Sequence, residues 1–250
     1  MLRLNNVSVN FGGVKALTDV TFDVPAHKIT ALIGPNGAGK TTLFNSITGF
    51  IPHFTGEIHF HNVKLNGKLP HEIFHIGISR TFQNLNLINE LTLRENMFLG
   101  VIGKEKPPIF KSFFRLNKGY WKDVEQRIDD MLYLTGIKKW ENCKPGSVPY
   151  GVLKNLEMAR ALISNPKILL LDEPAAGLNS KEKENLAELI GVLNTKGHTI
   201  LMVEHDMSFV STLSDYVVCL NFGKLIARGT FDEIRNSPDV IKAYLGDEDA

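Results

Sequence analysis

Hydrophobic and polar positions alternate from the start of the chain. Residues 2–9, 19–24, 29–33 and 57–60 are short apolar or alternating runs separated by polar, glycine-bearing turns, a pattern that predicts strands. A glycine-rich turn at 34–39 follows the third run and opens a predicted helix over 40–48. From about 70 to 165 the spacing becomes helical, with segments near 92–99, 118–134 and 154–164. In the last of these Leu156, Ala159 and Ile163 share one face, and Lys154 and Glu157 are assigned to solvent. The stretch 103–119, with Pro107, Pro108 and several aromatics, reads as an irregular insertion.

Beyond 168 the apolar runs 168–171, 199–204 and 216–220 alternate with a helical segment at 180–196 and a short one after Asp206. Strand and helix in alternation predict a parallel α/β sheet. The expected organisation is one domain over 1–250. An α/β core, with an antiparallel β-subdomain at its N-terminal end, is built from 1–82 and 166–250, and a helical lobe is inserted at 83–165. The acidic end, Gly-Asp-Glu-Asp-Ala, reads as a solvated tail.

Composition narrows the classes of function. With 43% hydrophobic and 22% charged residues the 250-residue chain is an ordinary globular one. A net charge of +1 gives no electrostatic reason to expect a nucleic-acid partner. Cys143 and Cys219 fit no metal-ligand spacing, and Cys219, inside an apolar run, is read as a small core residue. No run approaches the roughly 18 apolar residues of a membrane-spanning helix. The N-terminal sequence lacks the apolar core of a signal peptide. The expectation is a cytoplasmic chain whose membrane role is peripheral, on the cytoplasmic face.

The chemistry concentrates in two motifs. Gly34-Pro35-Asn36-Gly37-Ala38-Gly39-Lys40-Thr41 matches G-x-x-x-x-G-K-[ST] between a predicted strand and a predicted helix, the context of a phosphate-binding P-loop. Glycines let successive backbone N–H groups turn inward toward phosphate oxygens, and the helix presents its positive end to the same charge. Lys40 is expected on the β- and γ-phosphates of ATP and the Thr41 hydroxyl on magnesium, with Thr42 completing the ATP-binding set. In the second motif the apolar run Ile168-Leu-Leu-Leu171 ends in Asp172 and Glu173, describing a buried strand whose carboxyl end emerges at a charged site. Asp172 is expected to hold magnesium and Glu173 to polarise the attacking water as general base.

With these motifs in place, the whole chain resembles the nucleotide-binding subunits of ABC transporters. Gln83, in Arg80-Thr-Phe-Gln83, looks like the Q-loop glutamine; the resemblance implies that it senses the γ-phosphate and magnesium and that its loop contacts the membrane subunit. His205, in Val203-Glu-His-Asp206, looks like the switch histidine, and Ala176-Gly-Leu-Asn179 occupies the D-loop position with Asn where many members carry Asp. Phe11 stands where the family places an aromatic that stacks on adenine. A narrower resemblance, carried by Arg80-Thr-Phe-Gln83, Leu171-Asp-Glu-Pro-Ala-Ala-Gly-Leu-Asn179, Val203-Glu-His-Asp-Met207 and the run 236–246, is to the ATP-binding subunits of branched-chain amino acid importers. The lipopolysaccharide-extracting export ATPase shares several of these words.

The resemblance implies permease partners and a second ATPase subunit, in a homo- or heterodimer whose signature loops complete each other's ATP sites. Here the chain departs from the pattern. The signature position reads Val148-Pro149-Tyr150-Gly151-Val152, so the usual phosphate-binding serine is Pro149 and a polar side chain is Val152. Pro149 offers neither hydroxyl nor N–H. A transporter ATPase is the leading reading; a catalytically impaired member of an asymmetric pair and an export ATPase stay open.

Overall fold

The computed structural model describes residues 1–82, 85–104 and 118–245. Gln83, most of the expected insertion and the acidic tail lie outside the described residues.

Two sheets and a helical lobe make up the fold. Strands β1 (Leu2–Phe11) and β2 (Val14–Val24) form a hairpin closed by Gly12 and Gly13, whose φ angles of 53° and 98° suit a two-residue turn between twisted strands. With β4 (Thr55–Phe60) and β5 (Val63–Lys64) they build an antiparallel sheet in the order β2-β1-β4-β5. Leu2, Leu4, Val7, Val9, Val20 and Phe22 are buried on one face; the alternation slips by one residue between Leu4 and Val7, where the pairing with β2 is irregular and Asn6 has φ 49°.

The second sheet runs β10-β9-β3-β8-β7-β6. Its central strands β3 (Ile29–Ile33), β7 (Ile168–Asp172) and β8 (Thr199–Val203) are buried at every residue. Both faces are covered, which explains the unbroken apolar runs. Leu32, Leu170, Leu201 and Val203 pack toward the first sheet and helix α1 (Lys40–Ile47). Ala31, Ile33, Leu169, Leu171 and Cys219 pack the other way, onto α6 (Ser180–Thr195) and α7 (Met207–Leu213). The buried Cys219 matches its reading as a core residue.

The sheet is mixed rather than wholly parallel. β10 (Lys224–Gly229) returns antiparallel along β9 (Tyr216–Asn221), because the turn at Phe222 and Gly223 is too short for the crossover a parallel partner needs. At the other edge, the three-residue β6 (Ile78–Arg80) pairs with β7 inside the span expected to be helical. It follows α2 (Pro70–Ile76), which Gly77 ends in the left-handed conformation at φ 108°.

The lobe holds α3 (Leu93–Lys104), α4 (Lys118–Leu134) and α5 (Tyr150–Leu162), with Leu93, Met97, Val124, Ile128, Leu156 and Ala159 in its core. Arg94 and Lys138 both bind Asp129 and Glu141, tying the start of α3 to α4 and to the chain that follows it. The assignment of Lys154 and Glu157 to solvent is overturned: their exposures are 7% and 4%. Helix α5 packs Leu156 and Ala159 into the lobe and Met158, Ala161 and Leu162 against the core. No broad face of it is left for water, and the two charges are held by backbone partners. The last two short helices, α8 (Phe231–Arg235) and α9 (Pro238–Leu245), return to the same core through Ile234 and Val240.

Candidate functional site

Three parallel strands end together. Leu32 of β3 and Asp172 of β7 both lie opposite Val203 of β8. The loop from Gly34, the pair Asp172–Glu173 and the pair Glu204–His205 therefore leave the sheet at one edge, where ligands bind in open α/β folds.

The loop conformation depends on glycine. Gly34 has φ 147° and Gly39 φ 101°. A Cβ at Gly34 would stand 2.1 Å from the Leu220 carbonyl oxygen, and one at Gly39 would stand 2.7 Å from that of Ala16. The Ala38 N–H donates to the Pro35 carbonyl at 3.1 Å, and the Gly223 N–H donates to the Ala38 carbonyl at 3.0 Å, so the β9–β10 turn braces the loop from outside. Asn36, Gly37 and Thr41 are exposed, Pro35 and Thr42 half-buried. Lys40, the first residue of α1, folds over the loop and donates from Nζ to the carbonyls of Gly34 at 2.6 Å and Pro35 at 2.9 Å. Burial pulls its ammonium below the usual lysine range, opposed by the negative charges of Glu173 and Asp172. An anion reaching the loop would find this cation and the N-terminal end of α1 together.

Glu173 sits just past β7 with φ 48°, unusual for a residue with a side chain. Its N–H donates to the Val203 carbonyl at 3.0 Å, and its own carbonyl accepts from the Ala176 N–H at 3.1 Å. These bonds hold a backbone shape costing on the order of 1–3 kcal/mol. The side chain then meets His205, Oε1 to Nε2 at 2.7 Å. With Glu173 one-fifth and His205 two-fifths exposed, the pair remains open to water, the geometry of a base oriented by a second group.

Glu204, unassigned in the sequence reading, locks this arrangement. It is 3% exposed, and its two oxygens accept the Ala175 N–H at 2.7 Å and the His205 N–H at 3.0 Å. Burial pushes its carboxyl above the usual range. A carboxylate just past a strand reads as surface in a sequence, and only the packing shows it turned inward. Asp206 caps α7 through the N–H groups of Ser208 and Phe209. Lys183 at 2.6 Å holds its carboxyl well below the usual range. Asn179 caps α6 by accepting the Glu182 N–H at 3.0 Å, a task for which Asn and Asp are equally suited.

Asp172 is 6% exposed and is bound through Oδ2 by Arg80 Nη2 at 2.6 Å, a partner the sequence reading did not assign. The other carboxylate oxygen and the Thr41 hydroxyl are hard oxygen donors of the kind magnesium takes alongside phosphate and water. The residues present thus fit a nucleotide-borne magnesium ion. No cluster of three or more His, Cys, Asp or Glu able to hold a metal occurs among the described residues.

Phe11 and the signature residues stand apart from this cluster. Phe11 ends β1, half exposed, on the hairpin whose Ala16 carbonyl touches Gly39. Pro149 is the N-cap of α5, extended at ψ 152° and without a side-chain cap bond, and its carbonyl accepts the Val152 N–H at 3.0 Å. Tyr150 lies beside Gly177 and Gly151 beside Glu182. The altered signature and the D-loop region are therefore packed together within one chain.

A family profile described as ABC transporter matches residues 17–176, and one described as branched-chain amino acid ATP-binding cassette transporter matches residues 224–250. The chain is 39% identical over 250 residues to the high-affinity branched-chain amino acid transport ATP-binding protein LivG of Salmonella typhimurium, covering 99% of this chain and 98% of that one. It is 37% identical over 257 residues to BraF of Pseudomonas aeruginosa, with the same coverages. A nucleotide-free ATP-binding cassette from an ABC transporter superposes with a TM-score of 0.87 at 32% identity, covering 98% of this chain and 99% of its own. A cassette in its ADP conformation gives 0.87 at 31%, covering 98% of each chain. In motif, in strand order and along nearly its full length, the chain belongs to the ATP-binding subunit family of ABC transporters.

Proposed function

We propose that this chain is the ATP-hydrolysing subunit of an importer for branched-chain amino acids, acting on the cytoplasmic face of the membrane as one of two such subunits beneath a permease. The observation that carries the catalytic part is the Glu173–His205 pair, joined at 2.7 Å at the sheet edge from which the loop leading to Lys40 also departs. The cargo rests on the likeness to LivG and BraF and on the C-terminal profile match.

In this reading the loop 34–39 and α1 receive the phosphates, and Lys40 exchanges its two loop carbonyls for phosphate oxygens. Phe11 stacks on the adenine. Thr41 and Asp172, with Gln83, would hold magnesium, which when bound would neutralise phosphate charge. Glu173 accepts a proton from water as its oxygen attacks the γ-phosphorus, and the bond to the ADP oxygen breaks. His205 keeps the Glu173 carboxylate oriented. The loop at Pro149–Val152 serves ATP held by the opposing subunit.

The helical lobe and the α/β core are read as parts of a single domain. The groove between lobe and core, lined by Phe50, Phe74, Phe82 and Leu99, is the surface assigned to the permease. No helix among the described residues is long and apolar enough to cross a membrane. A separate membrane subunit would supply the pathway.

Replacement Glu173→Gln in the complex reconstituted with permease and binding protein tests the assignment. ATP binding should persist while hydrolysis and leucine uptake fall about a hundredfold or more. Surviving turnover would remove Glu173 from the role of base, and uptake of an unrelated solute in place of leucine would overturn the cargo.

A further inference from the structure

Arg80 ends β6, and none of the roles above uses it. Its side chain is 7% exposed. Nη2 donates to Asp172 Oδ2 at 2.6 Å, and Nη1 donates to Asn45 Oδ1 at 2.7 Å and Thr48 Oγ1 at 3.2 Å. The guanidinium lies 5.5 Å from the Phe44 ring centre and 5.1 Å from that of Phe82. One planar fork thus joins the end of the strand bearing Asp172, the far end of the P-loop helix and the chain entering the lobe. Nε is buried with no hydrogen-bond partner among the described residues. An orphaned donor of this kind is costly. It is retained beside two arms whose spacing a lysine ammonium cannot reproduce.

We infer that Arg80 is a positioning residue for Asp172. It holds one carboxylate oxygen against the P-loop helix so that the other is oriented toward the magnesium ion of bound nucleotide. The inference rests on the reading of Asp172 as the magnesium carboxylate. A cation beside a metal site acts in two opposed ways, since its charge repels the ion while its grip orients the ligand. Three elements fix this guanidinium, so orientation dominates. Its polar contacts are with Asn45, Thr48 and Asp172, none of which belongs to the loop 34–41. Binding of metal-free nucleotide is therefore left to the loop and Lys40.

Titration of the full chain with fluorescent ATP, in EDTA and again in saturating magnesium, measures the enhancement of affinity by the metal. Asp172→Asn should abolish that enhancement. Arg80→Gln should leave the EDTA affinity within about twofold and cut the enhancement about tenfold, the size typical when a ligand loses its orienting partner. Arg80→Lys, which keeps charge but loses the fork, should cut it about threefold. Asn45→Ala frees one arm without stranding Asp172 and should lower the enhancement in the same direction, deciding the matter even if Arg80→Gln does not fold. An enhancement that is unchanged in Arg80→Gln and Asn45→Ala, or larger in either, while Asp172→Asn abolishes it, overturns the inference alone. Full enhancement in Asp172→Asn overturns the metal reading beneath it.

Discussion

Glu157 offers the sharpest test of the packing around α5. The carboxylate is 4% exposed, and its Oε1 accepts the Phe82 N–H at 2.7 Å, fixing the chain where it leaves the core for the lobe. Replacement Glu157→Ala strands that N–H in a buried place. A hydrogen bond to a charged group contributes about 1.5–3 kcal/mol, and the vacated volume adds to the loss. The expected destabilisation is about 2–3 kcal/mol, or about 5–10 °C in Tm for a domain of this size. Glu157→Gln keeps an oxygen acceptor and removes a charge that burial disfavours, so its cost should stay within about 1 kcal/mol.

The two carboxamide and carboxylate forms should also differ with pH. Burial is the largest influence on Glu157 and raises its carboxyl above the usual carboxylate range, against the pull of the Phe82 N–H, Lys154 and Arg160. A carboxyl raised on folding favours the native state fully below its unfolded value and loses that contribution as pH climbs through the folded one. Stability of Glu157→Gln relative to the parent should therefore improve from about pH 5 to about pH 8. Urea unfolding across that range measures the difference, and hydrogen exchange at the Phe82 amide reports the local bond. Equal losses in both variants, or an unaltered Phe82 amide in Glu157→Ala, would refute the reasoning.

Three further outcomes are expected. Lys40→Ala should abolish ATP binding in a filter or fluorescence assay, because the loop loses its cation for the phosphates. Pro149 should make the two ATP sites of a mixed pair unequal, since a lost hydroxyl contact to charged phosphate costs about 1.5–3 kcal/mol. Glu173→Gln in the assembled complex would then remove most ATPase activity and the matching change in the partner little, while Pro149→Ser with Val152→Gln raises the activity of the chain alone. In the lobe, hydrogen bonds from Lys138 and Arg94 hold the Asp129 carboxyl below the usual range. That contribution is present above the unfolded value and lost as pH falls through the depressed one. Asp129→Asn should cost about 1 kcal/mol at neutral pH and progressively less as pH falls below the unfolded carboxyl value of about 4, read as faster amide exchange in α3.

Local pattern determined much of this protein. Gly34 and Gly39 are legible because the conformation of the turn demands glycine there, and the apolar run into Asp172 and Glu173 marks a buried strand ending at charge. Glu173, from its strand, and His205, from the family resemblance, are separate expectations in the sequence, and only the fold joins them across 32 positions. Tertiary structure alone decided what lies around them. Arg80 sits 92 residues from Asp172, and no periodicity links a three-residue strand to the carboxylate it binds. Glu157 and Lys154 occupy helix positions that look polar and solvent-facing in sequence. They are buried because α5 serves two cores at once. Glu204 likewise needs the neighbouring turn at Ala175 before its burial makes sense. Sequence records which faces are apolar and which loops need glycine; the partners of a buried charge are set by which elements pack against it, and that is a property of the folded chain.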